Sequence, residues 1–262
     1  MRSRPVIVGL DGDAGARDAF AVGQRLAELL DASMAVITVS GAAPDALRWT
    51  AEQQHASVLV LGATRRRSLA RTLRGTARRL LIQAPCPVAV APGGFADRPA
   101  APLRDIGVGF EPTPEGAEAL AVAHRLAARS GGTLRAIGVA LPLSPLAPDD
   151  LRDREPYLED ERRIVRAGLE RALAELPEGV PATADARVGD PAVELISASR
   201  ELDLLVCGSR GRGPLRAVLL GSVTERLIRS AACPVVIVPR PAGQPRRRRR
   251  TMPSAVLPPP RG

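Results

Sequence analysis

Apolar and polar residues in the second part of the chain follow the pattern of an α/β protein. Short continuous apolar runs of strand length lie at 105–110, 133–141, 183–188, 203–208 and 234–239. Stretches with a helical period of about 3.6 residues separate them, at 117–131, 157–176, 191–202 and 222–230. Continuous apolar strands that alternate with helices predict a mainly parallel sheet covered on both faces.

The first part of the chain shows a shorter form of this pattern. We expect strands in PVIVGLDG (5–12) and MAVITV (34–39), with a helix at 16–31 between them. The chain then passes from MAVITV directly into a second helix near 44–54. The long helix and the strand that follow at the corresponding place in the second part are missing here.

The two parts are copies of one unit. AVGQRLA (21–27) matches AVAHRLA (121–127) with an offset of 100 residues, whereas Gly62 at the end of ASVLVLG matches Gly208 with an offset of 146. A fixed internal correspondence is the signature of a repeated structural unit. The two offsets differ by 46 residues, which correspond to the long helix and the third strand of the second copy.

The repeat predicts the domain organisation. We expect an α/β fold of two tandem, doubly wound domains, each with a mainly parallel five-stranded sheet, the first domain being truncated. Residues 1–93 form the first domain and 103–240 the second, joined by a Gly/Pro/Ala-rich linker. The Arg- and Pro-rich residues 241–262 are expected to be a disordered tail.

The formal net charge of +9 is concentrated in this tail. Seven arginines and no acidic residue lie between Arg240 and Gly262, so 9 − 7 leaves +2 on the rest of the chain. Aromatic residues make up only 2% of the sequence, so the body does not resemble a platform for stacking bases. We expect no nucleic-acid partner beyond weak, charge-driven contacts of the tail.

The residue inventory excludes several kinds of chemistry. All 37 basic residues are arginine, so the chain has neither a Walker A lysine nor a Schiff-base lysine. Three cysteines without CxxC spacing and two separate histidines do not indicate a zinc site. No nucleophile is accompanied by a base and an orienting group. With no signal peptide or membrane span in the sequence, we expect a cytoplasmic protein that is not an enzyme.

Several reactive residue types have structural interpretations. We expect Cys86, Cys207 and Cys233 to act as small hydrophobic residues. We expect His124 to lie at the surface or at the boundary of the core, and the acidic cluster 159–161 to be a solvated helix start.

GSRGRGPLRAVLLGS (208–222) is the best candidate for phosphate binding. It lies between an apolar strand and a helix, at the sheet edge where doubly wound folds bind ligands. Gly208 and Gly211 permit close approach of the backbone to an anion. The pair Gly221–Ser222 opens a helix whose free N–H groups favour phosphate, and Arg210 supplies charge.

Structural interpretations of the same residues stay open. Gly208 and Gly211 also fit a tight strand-to-helix turn, and Arg210 also fits an exposed loop. Ser222 to Glu225 has the form of a capping box, in which the serine hydroxyl bonds to helix N–H groups. Capping and phosphate binding are compatible, because a capped helix retains other free donors.

The pattern Gly208-x2-Gly211-x9-Gly221-Ser222 resembles the ATP-binding signature of the universal stress protein family. VGLDG at 8–12, RVGDPA at 187–192 and the CPV ends of both copies also match. The resemblance covers about residues 4–92 and 103–239. It implies an adenine-nucleotide alpha hydrolase-like fold and a bound ATP, with or without Mg²⁺. It also implies pairing of the two halves as a pseudo-dimer, with a homodimer as a further option.

The resemblance implies a set of site residues in the second copy: Phe110, Glu111, Val139, Gly208, Arg210, Gly211, Gly221, Ser222 and Val223. The glycines and the helix start would hold phosphates, and Val139 would contact adenine through its backbone. Glu111 stands where the family has an aspartate, and is one methylene longer.

The first copy keeps only part of this signature. Asp11, Gly62, Gly75 and Thr76 match, but Arg65 replaces the second signature glycine. A bulky side chain there would obstruct the close backbone approach, so we expect no nucleotide in the first domain.

Two main functional hypotheses follow. The first is an ATP-binding regulator of the stress response with its site in the second domain. The alternative is a nucleotide-free interaction module that regulates a transporter or signalling partner, with pairing of the CPVAVAP and CPVVIVP edges. The intact signature at 208–222 favours the first, and Glu111 with the truncated first copy favours the second.

Overall fold

The computed structural model of the protein describes residues 4–10, 15–38, 44–63, 80–81, 84–141, 154–209 and 221–239. Within these ranges nine strands form one sheet and six helices cover it. The strands are β1 (Val6–Leu10), β2 (Met34–Thr38), β3 (Val58–Gly62), β4 (Val88–Ala91), β5 (Asp105–Gly109), β6 (Thr133–Ala140), β7 (Ala182–Val188), β8 (Leu204–Gly208) and β9 (Val235–Val238). The helices are α1 (Ala16–Leu30), α2 (Pro44–Gln53), α3 (Pro114–Ser130), α4 (Arg154–Ala174), α5 (Pro191–Ala198) and α6 (Ser222–Ser230).

The strands follow the order β2-β1-β3-β4-β9-β8-β5-β6-β7. The first copy supplies four of them and the second supplies five, and all neighbours are parallel except β4 and β9. The predicted mainly parallel α/β fold is confirmed. The two copies share one continuous sheet, whereas the sequence alone suggested a separate sheet for each.

The two copies meet at an antiparallel junction. Val88 pairs with Ile237, Ala89 with Val236, and Val90 with Val235. Both strands are buried along their length and contain no charged residue. The strand edges of CPVAVAP and CPVVIVP therefore pair with each other within one chain.

Two helical layers enclose the sheet. One layer contains α1, α3 and α4, and the other contains α2, α5 and α6. Strand residues alternate between the two cores, as Ile7 and Val8 do. Burying one Leu or Ile side chain contributes roughly 1.5–3 kcal/mol, so aliphatic residues alone can build this core. No helix in the described ranges has the length and apolar character needed to cross a membrane.

The segment between the copies is fixed to α1. The buried carboxylate of Asp18 accepts hydrogen bonds from the N–H groups of Gly94, at 2.9 Å, and Ala96, at 2.8 Å. The Arg129 guanidinium of α3 donates to the Leu30 carbonyl oxygen at the end of α1, at 2.9 Å. The linker and the adjoining helices thus bind one copy to the other beyond the strand junction.

Helix ends differ from their predicted positions by a few residues. The helix predicted at 191–202 ends at Ala198, because the Ser199 hydroxyl donates to the Ile196 carbonyl and accepts from the Ala232 N–H. That tertiary bond, 33 residues apart in sequence, is invisible to a helical period. The long helix α4 begins three residues before its predicted start at 157.

Candidate functional site

The winding of the chain reverses between β5 and β8. From β5 the chain moves outward through β6 to β7, and then returns to β8 on the other side of β5. The ends of the two strands are adjacent, since Gly109 pairs with Cys207. Loops that leave neighbouring strands in opposite directions open a crevice, which is where such sheets bind ligands.

The two ends of the candidate phosphate loop are held together at this crevice. The Ser209 N–H donates to the Val238 carbonyl at 2.9 Å, and the Gly221 N–H donates to the Ser209 carbonyl at 3.2 Å. A segment that leaves at 209 therefore returns to the same point at 221. Arg210 and Gly211, which the sequence assigns to the site, lie outside the described residues.

Gly208 lies where three elements converge. A Cβ at this position would be 3.3 Å from the carbonyl oxygen of Glu115, at the start of α3. The Thr224 hydroxyl of α6 donates to the Gly208 carbonyl at 3.3 Å. Glycine here keeps the end of β8 close to the N-termini of both helices.

The start of α6 corrects one sequence interpretation. Gly221 is the N-cap, with φ −63° and ψ 145°, and Ser222 is the first helical residue. The predicted capping box with Ser222 as N-cap is therefore wrong. The backbone N–H of Glu225 donates to the Gly221 carbonyl at 3.0 Å and makes the first bond back to the helix start. The N-cap falls one residue earlier than predicted, because Gly221 has extended backbone angles and Ser222 already lies in the helix.

This start leaves backbone donors at the crevice. The first N–H groups of a helix, here including that of Val223, have no partner within the helix. In the described part of the chain no side chain caps α6. Free N–H groups and the positive end of a helix dipole form a favourable site for an anion.

Phe110 and Glu111 form the opposite rim. The Phe110 N–H donates to the Ile137 carbonyl at 2.9 Å, and its ring packs partly on the core. Glu111 is exposed, and its carbonyl accepts from the Thr113 N–H at 2.7 Å. This turn requires a glycine at 116, where a Cβ would lie only 2.0 Å from the Glu111 carbonyl oxygen.

Val139 lies near the end of β6, the strand beside β5. It is half-buried against the core on the α5 side and pairs in register with Arg187 of β7. The structure thus brings together, at one edge of the sheet, the strand ends that carry Glu111, Val139 and Gly208.

An ion pair that the sequence did not predict links α6 to the start of α5. The Asp190 carboxylate N-caps α5 by accepting from the N–H groups of Ala192 and Val193, at 2.9 and 3.0 Å. It also accepts two hydrogen bonds from Arg226 of α6. The bond to Arg226, followed by the N-cap bonds, lowers the pKa of Asp190. Asp-Pro before an apolar run signals the cap, but nothing in the sequence identifies the arginine.

A second charged residue, Arg187, is held by hydrogen bonds at the end of β7. The Arg187 guanidinium donates to Asp185 at 2.9 and 3.1 Å and to the Glu194 carbonyl at 3.2 Å. The hydrogen bond to Asp185 raises the pKa of Arg187. Its charge is therefore engaged with its own strand and with α5.

The corresponding strand end of the first copy is packed more tightly at its glycine. A Cβ on Gly62, the counterpart of Gly208, would lie 2.3 Å from the Gly15 carbonyl oxygen. A Cβ on Gly15 would in turn lie 3.0 Å from the Ala63 carbonyl oxygen. The neighbouring group is backbone in each case. At Gly208 it is also backbone, but an added Cβ would lie 3.3 Å from the Glu115 carbonyl oxygen. The positions Asp11, Arg65, Gly75 and Thr76 lie outside the described residues.

His124 and the three cysteines are buried. His124 is only 8% exposed, with Nε2 3.0 Å from the Pro177 carbonyl oxygen, so of the two expected positions, at the surface or at the core boundary, the surface position is wrong. The reason is that the segment after α4 covers this side of α3. Burial raises the pKa of Cys86 to about 11 and those of Cys207 and Cys233 to about 12.

Metal-binding groups do not gather in the described ranges. No set of three or more His, Cys, Asp and Glu side chains there is arranged to hold a metal ion. The residues at the crevice include glycines, backbone donors and the exposed Glu111.

Comparisons with known proteins agree on one family. The family model described as the universal stress protein family matches residues 35–92 and 102–239. A universal stress protein of Mycobacterium tuberculosis is 31% identical over 185 residues, which cover 70% of this chain and 61% of the relative. One from Thermus aquaticus is 33% identical over 142 residues, which cover 52% of this chain and 98% of the relative.

The fold agrees as well. The crystal structure of a universal stress protein from Archaeoglobus fulgidus is similar with a TM-score of 0.59 at 16% identity, covering 92% of this chain and 98% of that one. The match to the mycobacterial relatives extends over about three fifths (61%) of their length. The two segments of the family model together cover well over half of this sequence, and the chain therefore belongs to the universal stress protein family.

Proposed function

We propose that this chain is an adenine-nucleotide-binding regulator with a single site, located in the second half. The observation that carries the proposal is the convergence at one switch point of Gly208, the Gly221 N-cap and the start of α6. Glu111 lies just after β5, the strand next to β8. Close backbone approach and free helix donors suit phosphates.

Each part of the nucleotide has a counterpart in the site. The phosphates of ATP would lie against Gly208, Gly221 and the N–H groups of Ser222 and Val223, with the loop residues Arg210 and Gly211 completing the cradle. The Glu111 carboxylate would accept hydrogen bonds from ribose hydroxyls. The backbone of Val139 would contact adenine, and Phe110 would support the turn below the ribose. We assign no protein ligands to Mg²⁺.

The first half would carry no nucleotide. Backbone packs more closely on Gly62 than on Gly208, since an added Cβ would lie 2.3 Å from the Gly15 carbonyl oxygen at Gly62 and 3.3 Å from the Glu115 carbonyl oxygen at Gly208. Arg65 adds a side chain where the second half has Gly211. Both features act against close approach of a phosphate.

The proposal includes an organisation for the whole chain. Residues 1–93 and 103–240 would be tandem units that pair as a pseudo-dimer through β4 and β9, and 241–262 an appended tail. The protein would be cytoplasmic and regulatory rather than catalytic, because no nucleophile in the sequence has a base and an orienting group beside it. A nucleotide-free interaction module is the second candidate, and the tight packing at Gly62 favours it for the first half.

Nucleotide binding by the full chain tests the proposal. ATP should raise the melting temperature of the wild type, because a ligand that binds only the folded state stabilises it. Gly211→Arg, which copies the residue found in the first half, should abolish that rise. Arg65→Val, at the matching loop position of the first half, is the control and should leave it intact. Absence of any ATP effect on the wild type would overturn the proposal in favour of the interaction module.

A further inference from the structure

The two outer edges of the nine-stranded sheet differ in charge. The β7 edge carries Asp185 and Arg187, which bond to each other. The β2 edge has the sequence MAVIT, with neither a charge nor a proline. In the described residues no strand pairs with the outer side of β2. Natural sheets protect free edges with charges, prolines or bulges, and β2 has none of these.

The second half shows what normally covers such a strand. In both halves the first strand pairs with the second in the same register, Val6 with Met34 and Ile106 with Leu134, so residues of β2 and β6 correspond at an offset of 100. On β6, α4 covers the face of Leu134 and Ala136, and both are buried. Val36, the counterpart of Ala136, is 44% exposed.

The helix that follows the first strand shows the same difference in exposure between the two halves, with α3 covered and α1 partly exposed. Leu120 of α3 is 3% exposed, whereas its counterpart Phe20 of α1 is 37% exposed. His124 is held by Pro177, which follows α4, whereas its counterpart Gln24 is exposed. Among the described residues, the truncation of the first half therefore leaves the outer edge of β2 unpaired beside a partly apolar face.

We propose that this edge is the homodimer interface, in which β2 pairs antiparallel with β2 of a second copy of the chain. Val36 is the central residue of the strand. A two-fold axis through it places Val36 opposite Val36, and Met34 opposite Thr38 of the second copy. No like charges oppose each other in this register, and β-branched residues suit cross-strand pairs. Partly exposed apolar groups of the two copies would then cover one another.

Two observations favour a second copy as the occupant. First, the chain already joins two versions of its unit by antiparallel pairing of short uncharged strands, four residues long in β4 and β9, whereas β2 offers five. Second, β4 and β9 already pair with each other within the chain, so their edges are not free to form a homodimer. Of the two remaining edges, the charged β7 edge is the less suitable.

The oligomeric state of the full chain tests this inference. Sedimentation or light scattering should give twice the 27.5 kDa mass of the chain. Val36→Lys and Val36→Glu should each weaken the dimer by about tenfold or more, because a charge is placed against its own copy and desolvated. An equimolar mixture of the two variants should recover the dimer, which a folding defect would not allow. Ile164→Lys, on the exposed face of α4, is the control and should stay dimeric.

Cross-linking gives a second readout. Val36→Cys should form a disulfide-linked dimer on oxidation, whereas the buried native thiols should not. A wild-type chain that is monomeric, or a Val36→Lys dimer as tight as the wild type, would overturn the proposal. If a monomeric wild type became dimeric on removal of 241–262, the occupant of the edge would be the tail of the chain itself.

Discussion

Asp190 and Arg226 form a two-bond ion pair at 2.7 and 2.8 Å, although 36 residues separate them in the chain. Asp190 caps α5 and Arg226 lies on α6, so the pair links the start of α5 to the helix whose N-terminus faces the crevice. Both side chains are partly exposed, and the contribution of the pair depends on the ionisation of Asp190.

Asp190→Asn should destabilise the protein at neutral pH and lose that effect in acid. The folded-state pKa of Asp190 is lowered from its usual value of 3.8. Its contribution is therefore fully present above the unfolded-state pKa and is lost as the pH falls through the folded-state pKa. Urea unfolding of wild type and variant over a pH series measures this. Asp160→Asn, in an exposed pair on α4, is the control, and an equal effect of both variants at neutral pH would contradict the role of Asp190.

Alkaline pH should destabilise the protein through its thiols. The chain contains no lysine and one tyrosine, so few side chains titrate between pH 9 and 12. Folded-state pKa values of about 11 for Cys86 and about 12 for Cys207 and Cys233 exceed the ordinary thiol value. Stability is thus complete below the unfolded-state pKa and falls as the pH rises toward the folded-state values.

Thiol labelling checks the same point directly. A disulfide reagent at neutral pH should modify the native protein far more slowly than the urea-unfolded chain, because the reactive thiolate is suppressed by burial. Labelling of all three cysteines at the unfolded rate would contradict the assigned burial.

Gly116→Ala should destabilise the protein by about 2–4 kcal/mol, because the added methyl group meets backbone that cannot move freely. Its Cβ would lie 2.0 Å from the Glu111 carbonyl oxygen. Gly168→Ala on α4 is the control, since a Cβ there meets open space. That variant should stabilise the protein by about 1 kcal/mol through helix propensity. Chemical denaturation distinguishes the two, and equal effects would contradict the tight turn at Glu111.

The two strand-end glycines should respond differently to alanine. Gly62→Ala should cost about 1–3 kcal/mol by overpacking and leave nucleotide affinity unchanged in the molecules that remain folded. Gly208→Ala meets the Glu115 carbonyl at 3.3 Å, a contact relieved by a small shift, and should chiefly weaken ATP binding. Paired denaturation and binding measurements test this contrast. A larger loss of ATP affinity in Gly62→Ala would reverse the assignment of the site.

The sequence predicts the elements well because their signals are local. Apolar runs and the helical period located the strands and the helices, and the two offsets of the repeat identified the missing helix and strand of the first copy. The antiparallel register of β4 and β9 has no local signal, since both strands are uniformly apolar. Pairing of the CPVAVAP and CPVVIVP edges was a hypothesis from the sequence, but its register, and with it the single continuous sheet, emerges only from the structure.

The site was predictable as a set of positions but not as a geometry. Gly208 and Gly221 stand out by spacing, and the structure brings them together through Ser209. The N-cap at Gly221, the burial of His124 beneath the segment after α4, and the Asp190–Arg226 pair depend on tertiary contacts. Such contacts join residues far apart in sequence and leave no periodic trace.

Calorimetric titration of the full-length chain with ATP tests the central claim most directly. One nucleotide bound per chain, with loss of binding in Gly211→Arg and retention in Arg65→Val, is the predicted result. A stoichiometry of two, or binding that survives Gly211→Arg, would contradict a single site in the second half.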